Sequence, residues 1–409
     1  MKLRKFLLTA LATAITIATA WGTEEQIYGQ VVTSDGETLE GFIRWDRNEG
    51  FWDDILDGYR KRDDSRRDDY SSRRSGTRKV SIFGITVYRE EGDEMGWDWG
   101  DKAQSGIRFG HIKTIKPIDG QRARIELKSG EKFEIENSST DLGESMRELL
   151  IDDRKQGILE LLWEEIEKID FMPAPSISSN FGRRLYGEAF TRRGDSFRGF
   201  VCWDVDEIYD TDILDGEDGR RKRKIEFGKI SKIEPLSSQS ALVVLKDGTE
   251  MELENSNDID SGNRGVIISD PKLGRISIDW DELEKVEFAE PVKGVGYDDF
   301  DGGRRLEGKV ILESGDELSG EIRWDDDEEF TWEILDGEFQ DIELDIEFGL
   351  IKSIEKISSR TSKVTLKDGR AFKLRNSNDI DSDNRGIFVL EKGHEEMIEW
   401  DEFRRVEFR

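Results

Sequence analysis

Cysteine is nearly absent from this sequence. Cys202 is the single one in 409 residues, so no intrachain disulfide can form. It stands in the apolar stretch FVCWD, where a buried structural thiol is expected rather than a nucleophile. Histidine is almost as scarce, and His111 and His394 make no zinc spacing with each other or with Cys202. No serine elbow and no phosphate-cradling glycine loop is found. The sequence therefore offers no catalytic residue and no cofactor motif. Only 6 prolines and no Gly/Ser tract argue against a disordered chain. Beyond the N-terminus, no apolar run is long enough to span a bilayer.

Positive charge is the other shortage. Lys and Arg number 62 against 92 Asp and Glu, a net charge of −30. A chain this acidic is not expected to bind nucleic acid. It suits basic partners or solubility in a salty medium.

The first residues read MKLRKFLLTALATAITIATAWG. Lys2, Arg4 and Lys5 precede an apolar stretch, and Ala18-Thr19-Ala20 fits a small-residue cleavage site. Residues 1–20 are expected to be a secretory signal peptide, which places the protein in the periplasm or outside the cell. Cys202 lies far from the cleavage site, so no cysteine stands next to it to carry a lipid.

What fills the rest is repetition. GETLEGFIRWD at Gly36 matches GDSFRGFVCWD at Gly194 and GDELSGEIRWD at Gly315. Leu-Asp-Gly follows each tryptophan after the same interval, at Leu56, Leu214 and Leu335. Each copy closes on a second tryptophan: Trp163, Trp280 or Trp400. The expected organisation is three tandem repeats over 21–172, 185–288 and 305–409. Linkers are expected near Met172–Arg184 and Ala289–Gly303. The first copy carries a basic insertion at about 59–98, beginning YRKRDDSRRDDYSSRRSGTRK, of low complexity.

Period-two alternation with Asp-Gly at the turn, as in KVTLKDGRAFKLR, predicts hairpins throughout. The stretch ESMRELLIDDRKQGILELLWEEI reads as helix in isolation. It aligns without a gap to a strand-like stretch containing Pro271, so strand is expected there too. The fold class is all-β. Within each repeat two related halves follow one another, IEFGLIKSIE at Ile346 resembling IEWDEFRRVE at Ile398. With their strand pattern and a short turn before the last strand, the halves resemble SH3-like or Sm-like small β-barrels. That resemblance implies compact barrels with a binding role and no particular ligand. Trp45, Trp203 and Trp324 are expected in the core rather than on a sugar-binding face.

The stretch NSNDIDSGNRG at Asn255 returns as NSNDIDSDNRG at Asn376. Asp379, Asp381 and Asp383 alternate like the start of a calcium loop, but the bidentate glutamate of such loops is missing. Asn and Asp also hydrogen-bond their own backbone in turns. A structural turn held by Arg264 or Arg385 is the favoured reading, with calcium as the alternative. The functional expectation is an exported, non-catalytic binding scaffold, its partner an envelope or extracellular protein or glycan. A secreted glycan-acting hydrolase or a calcium-dependent carbohydrate-binding protein is the rival.

Overall fold

A computed structural model describes residues 23–61, 78–82, 85–89 and 102–409. The expected signal peptide and most of the basic insertion lie outside the described residues. Among the described residues strands make up 54% and no helix reaches seven residues, against an ordinary strand share of roughly 20–25%. The ambiguous stretch forms strands Leu149–Asp153 and Gly157–Leu161, joined as a hairpin. Its helical look came from its leucines, of which Leu149 and Leu161 are buried by the sheet while Leu162 is exposed.

The same strand order occurs in three successive segments. In the second they are Tyr186–Thr191, Ser196–Trp203, Ile213–Asp218, Arg221–Glu226, Ile230–Pro235, Ser240–Leu245, Glu250–Glu254, Val266–Asp270, Gly274–Ile278 and Leu283–Phe288. Numbered one to ten by position, they lie in the sheet in the order 4-3-7-6-5-10-1-2-8-9. The first segment follows the same order, apart from the extra hairpin Arg78–Ile82 and Ile85–Arg89 in its insertion. In the third, the hairpin of strands three and four (Ile334–Phe339 and Ile342–Glu347) joins the sheet of the second segment. A single bridge, Glu338 to Arg375, still links it to strand seven.

This order separates sequence halves from spatial units. Strands one, two and ten pair with the hairpin of strands eight and nine. Strands five, six and seven pair with the hairpin of strands three and four. Each spatial unit thus joins the first two strands of one half to the last three of the other, where the sequence suggested that each half would close on itself. Thr38–Trp45 pairs with Leu149–Asp153, over a hundred residues away. No local signal specifies such a partner.

Two apolar clusters hold the body together. One runs unbroken through the second and third segments, from Leu185 to Val406. The other fills the first segment and takes in Tyr209 and Trp332 from the other two. Both expected linkers contribute side chains to it: Phe181, Tyr297 and Phe300 are buried. Lys128 Nζ donates to the carbonyls of Tyr297 and Phe300 at 2.6 and 2.5 Å.

Between segments, arginines enter one recurring socket. Its carboxylate is Asp54, Asp212 or Glu333, which accepts backbone N–H groups from its own loop. Arg184, the last residue of the linker before the second segment, reaches Asp53 and Asp54 of the first at 2.5 and 2.8 Å. Arg44 of the first holds Asp212 of the second, and its Nη2 also donates to the carbonyl of Asp206 at 2.8 Å. Arg60 of the first pairs with Glu333 of the third and donates to the carbonyl of Asp327 at 2.9 Å. A further arginine, Arg275, joins all three, lying 2.7 Å from both Asp57 and Asp345. There the second segment's Arg275, Ile276 and Ser277 pair in sheet register with Asp345, Leu344 and Glu343.

Candidate functional site: three buried carboxylate clusters

Each Trp-Asp pair ends the second strand of its segment and begins a tight loop. Trp45, Trp203 and Trp324 exchange backbone hydrogen bonds with Glu49, Glu207 and Glu328. Asp46, Asp204 and Asp325 sit at φ 42, 49 and 45°, each followed by a second left-handed residue. Asp tolerates this region because its short side chain hydrogen-bonds locally. The rings are fully buried. Each indole Nε1 donates to a carbonyl of the Asn-Asp loop, that of Asp141, Asp258 or Asp379, at 2.7, 2.8 and 2.8 Å. The expectation of core tryptophans holds, and Trp163, Trp280 and Trp400 are equally enclosed.

The Asn-Asp loop is thereby drawn against the Trp-Asp loop. Oδ2 of Asp141, Asp258 and Asp379 accepts the backbone N–H of Asp57, Asp215 and Asp336 at 2.7, 2.6 and 3.0 Å. The arginine after each loop binds the aspartate of the Trp-Asp pair rather than the loop's own carboxylates. The backbone N–H of Arg147 and of Arg264 donates to Asp46 and Asp204, each at 2.6 Å, and that of Arg385 to Asp325. In the second copy Ser256 caps the one-turn 3-10 segment Asn257–Ile259.

Three acidic side chains consequently lie close enough to influence one another in each segment. They are Asp46, Glu49 and Asp141; Asp204, Glu207 and Asp258; and Asp325, Glu328 and Asp379. Among the described residues only the third set converges as a ligand group, with one ligand atom from each residue within 4.8 Å of the others. The glutamate is the outlier every time. Oε2 of Glu49, Glu207 and Glu328 is buried without a hydrogen-bond partner. Burial, reinforced by Asp258, pushes the Glu207 carboxyl up to about 9. Burial also holds Glu49 and Glu328 well above the usual carboxylate range.

Of the calcium candidates read from the sequence, only Asp379 enters this cluster. Asp381 turns back on its own loop, its Oδ1 accepting the N–H of Asp383 at 2.8 Å, and Asp383 is exposed. Asp325 and Glu328 were missed. Their signal was present, since WDRNE, WDVDE and WDDDE keep Trp, Asp and Glu while the middle residues change.

His111 and His394 lie far apart in role. His111 is buried at a junction, its Nδ1 accepting the N–H of Gly302 at 3.1 Å and its Nε2 lying 3.4 Å from Glu347. His394 is exposed on a hairpin. Cys202 is buried, and burial raises its thiol far above the ordinary range, which disfavours the nucleophilic thiolate. Among the described residues, no helix is long and apolar enough to cross a membrane. No family model, curated protein or solved structure matches the chain.

Proposed function

We propose that the protein is an exported, non-catalytic binding scaffold of the bacterial envelope or extracellular space. In this reading each segment is a pair of SH3-like barrels that exchange their last three strands. Three such pairs present several similar surfaces to an envelope protein or glycan. The observation that carries the proposal is the set of arginine sockets. Arg44, Arg60 and Arg184 fix three segments of one strand order against each other. A fixed array of like surfaces serves multivalent attachment, where a second contact follows the first at high effective concentration.

The test offers the purified protein to envelope glycan and to immobilised envelope proteins, and assays the glycan for new reducing ends. Retention that leaves the polymer intact supports a scaffold. Glycan cleavage that is lost on neutralising a single carboxylate would establish the hydrolase instead.

A further inference from the structure

In all three segments Oε2 of the Trp-Asp loop's glutamate is buried without a hydrogen-bond partner, although the residues around it differ. A carboxylate taken from water without compensation costs several kcal/mol. An uncompensated group recurring at one position therefore calls for something that neutralises it. In the third segment Glu328 is 9% exposed, and its free Oε2 belongs to the group formed with Asp325 and Asp379. Asp325 is met by Asn378 and Arg385. Asp379 gives Oδ2 to the N–H of Asp336. Oδ1 of Asp379 has a long contact with Asn378, at 3.5 Å, and the Asp336 carboxyl lies against the same group.

We propose that Asp325, Glu328 and Asp379 bind a calcium ion, with water completing the shell. The donors are all hard oxygens, the set that favours calcium or magnesium over zinc or copper. Three converging carboxylates favour calcium, since magnesium is usually held by one or two and keeps most of its water. The ion supplies the positive charge that Glu328 otherwise lacks. The first and second segments are modified at this point. Asn48 donates to Glu49, and Arg147 pairs with Asp206 beside Glu207. One ion per chain is therefore expected, in the third segment. This site is independent of the scaffold reading and stands or falls on its own measurement.

The experiment uses the whole purified protein. Terbium is added and excited through tryptophan, because Trp324 donates to the backbone of Asp379 and lies beside the site. Calcium is then titrated in as competitor, and calcium binding is measured by calorimetry. We expect saturable sensitised emission, displacement by calcium, and a stoichiometry of one. Glu328→Gln should weaken calcium binding at least ~10-fold, as expected on loss of a charged ligand. Asp381→Asn, outside the group, should bind normally. If Glu328→Gln does not fold, the wild-type titration and a calcium-dependent rise in melting temperature still decide the matter. No saturable binding by the folded wild type would overturn the proposal and leave a proton as the neutralising species. Equal affinity in folded Glu328→Gln, or loss of binding in Asp381→Asn instead, would overturn it as well.

Discussion

Arg44 of the first segment closes on Asp212 of the second with two parallel contacts. Its Nη1 and Nη2 lie 2.7 and 3.0 Å from the two carboxylate oxygens. A bidentate pair fixes direction as well as distance, so it sets the angle between segments. Tyr209 of the second segment lies beneath the same guanidinium, 5.2 Å from ring centroid to Cζ. Both charged side chains are largely buried, at 13% and 14% exposed. Arg44→Ala should therefore destabilise the protein by roughly 2–5 kcal/mol, the cost of leaving a buried charged partner alone. A denaturant midpoint unchanged from wild type would show that the pair is solvated and does not hold the segments.

The junction of the second and third segments depends on a glycine. A Cβ at Gly274 would lie 2.0 Å from the carbonyl oxygen of Asp345, at a backbone φ of +130°. Neither the space nor the conformation suits any other residue. We expect Gly274→Ala to open the pairing of Arg275–Ser277 with Glu343–Asp345. Faster amide exchange across 342–347 is the readout, and unchanged protection there would contradict the close approach.

Trp400 packs edge-on to Trp324 at 6.3 Å and against Phe403 at 5.3 Å, and is 4% exposed. Trp400→Ala should cost roughly 3–5 kcal/mol, as for other buried aromatics. Retained thermal stability would place the ring at the surface and reopen a role as a sugar platform.

The pH dependence follows from Glu207. Its carboxyl titrates near 9 when folded, against an ordinary value of 4.5, because burial and then Asp258 disfavour the charge. Above 4.5 the unfolded chain releases this proton while the folded chain keeps it, so raising the pH favours unfolding. The stability that the neutral group confers is complete below about 4.5 and is lost progressively up to about 9. Glu207→Gln should remove this slope. It should be more stable than wild type at pH 8 by roughly 1–3 kcal/mol, the range for relieving an uncompensated buried polar group, and similar at pH 4. Parallel stability curves for the two proteins between pH 5 and 9 would contradict the assignment.

Strand content was legible wherever alternation and turn chemistry are local. Asp368-Gly369 marks the hairpin between Thr361–Leu366 and Ala371–Leu374, and the inward tryptophans follow from the same alternation. Pairing over long distance was not legible. Nothing near Leu149 names Trp45 as its partner, because hydrophobic alternation fixes which face is buried and not which strand lies alongside. The carboxylate cluster was half legible for the same reason. In the sequence Asp379 stands together with Asp381 and Asp383, with nothing to set it apart from them. Asp325 and Glu328 join it only because Trp324 ties the two loops together. The sockets were least visible, since an arginine such as Arg60 reads as surface charge until Glu333 is placed opposite.

Calorimetric unfolding of the whole protein tests most directly whether the three segments form one scaffold. One apolar cluster spans the second and third segments, the other recruits Tyr209 and Trp332 into the first, and Arg275 joins all three. We expect a single cooperative transition, with the calorimetric enthalpy close to the van't Hoff value, dividing into separate transitions in Arg275→Ala. Two or three resolved transitions in the wild-type protein would contradict this and show segments that unfold as independent beads.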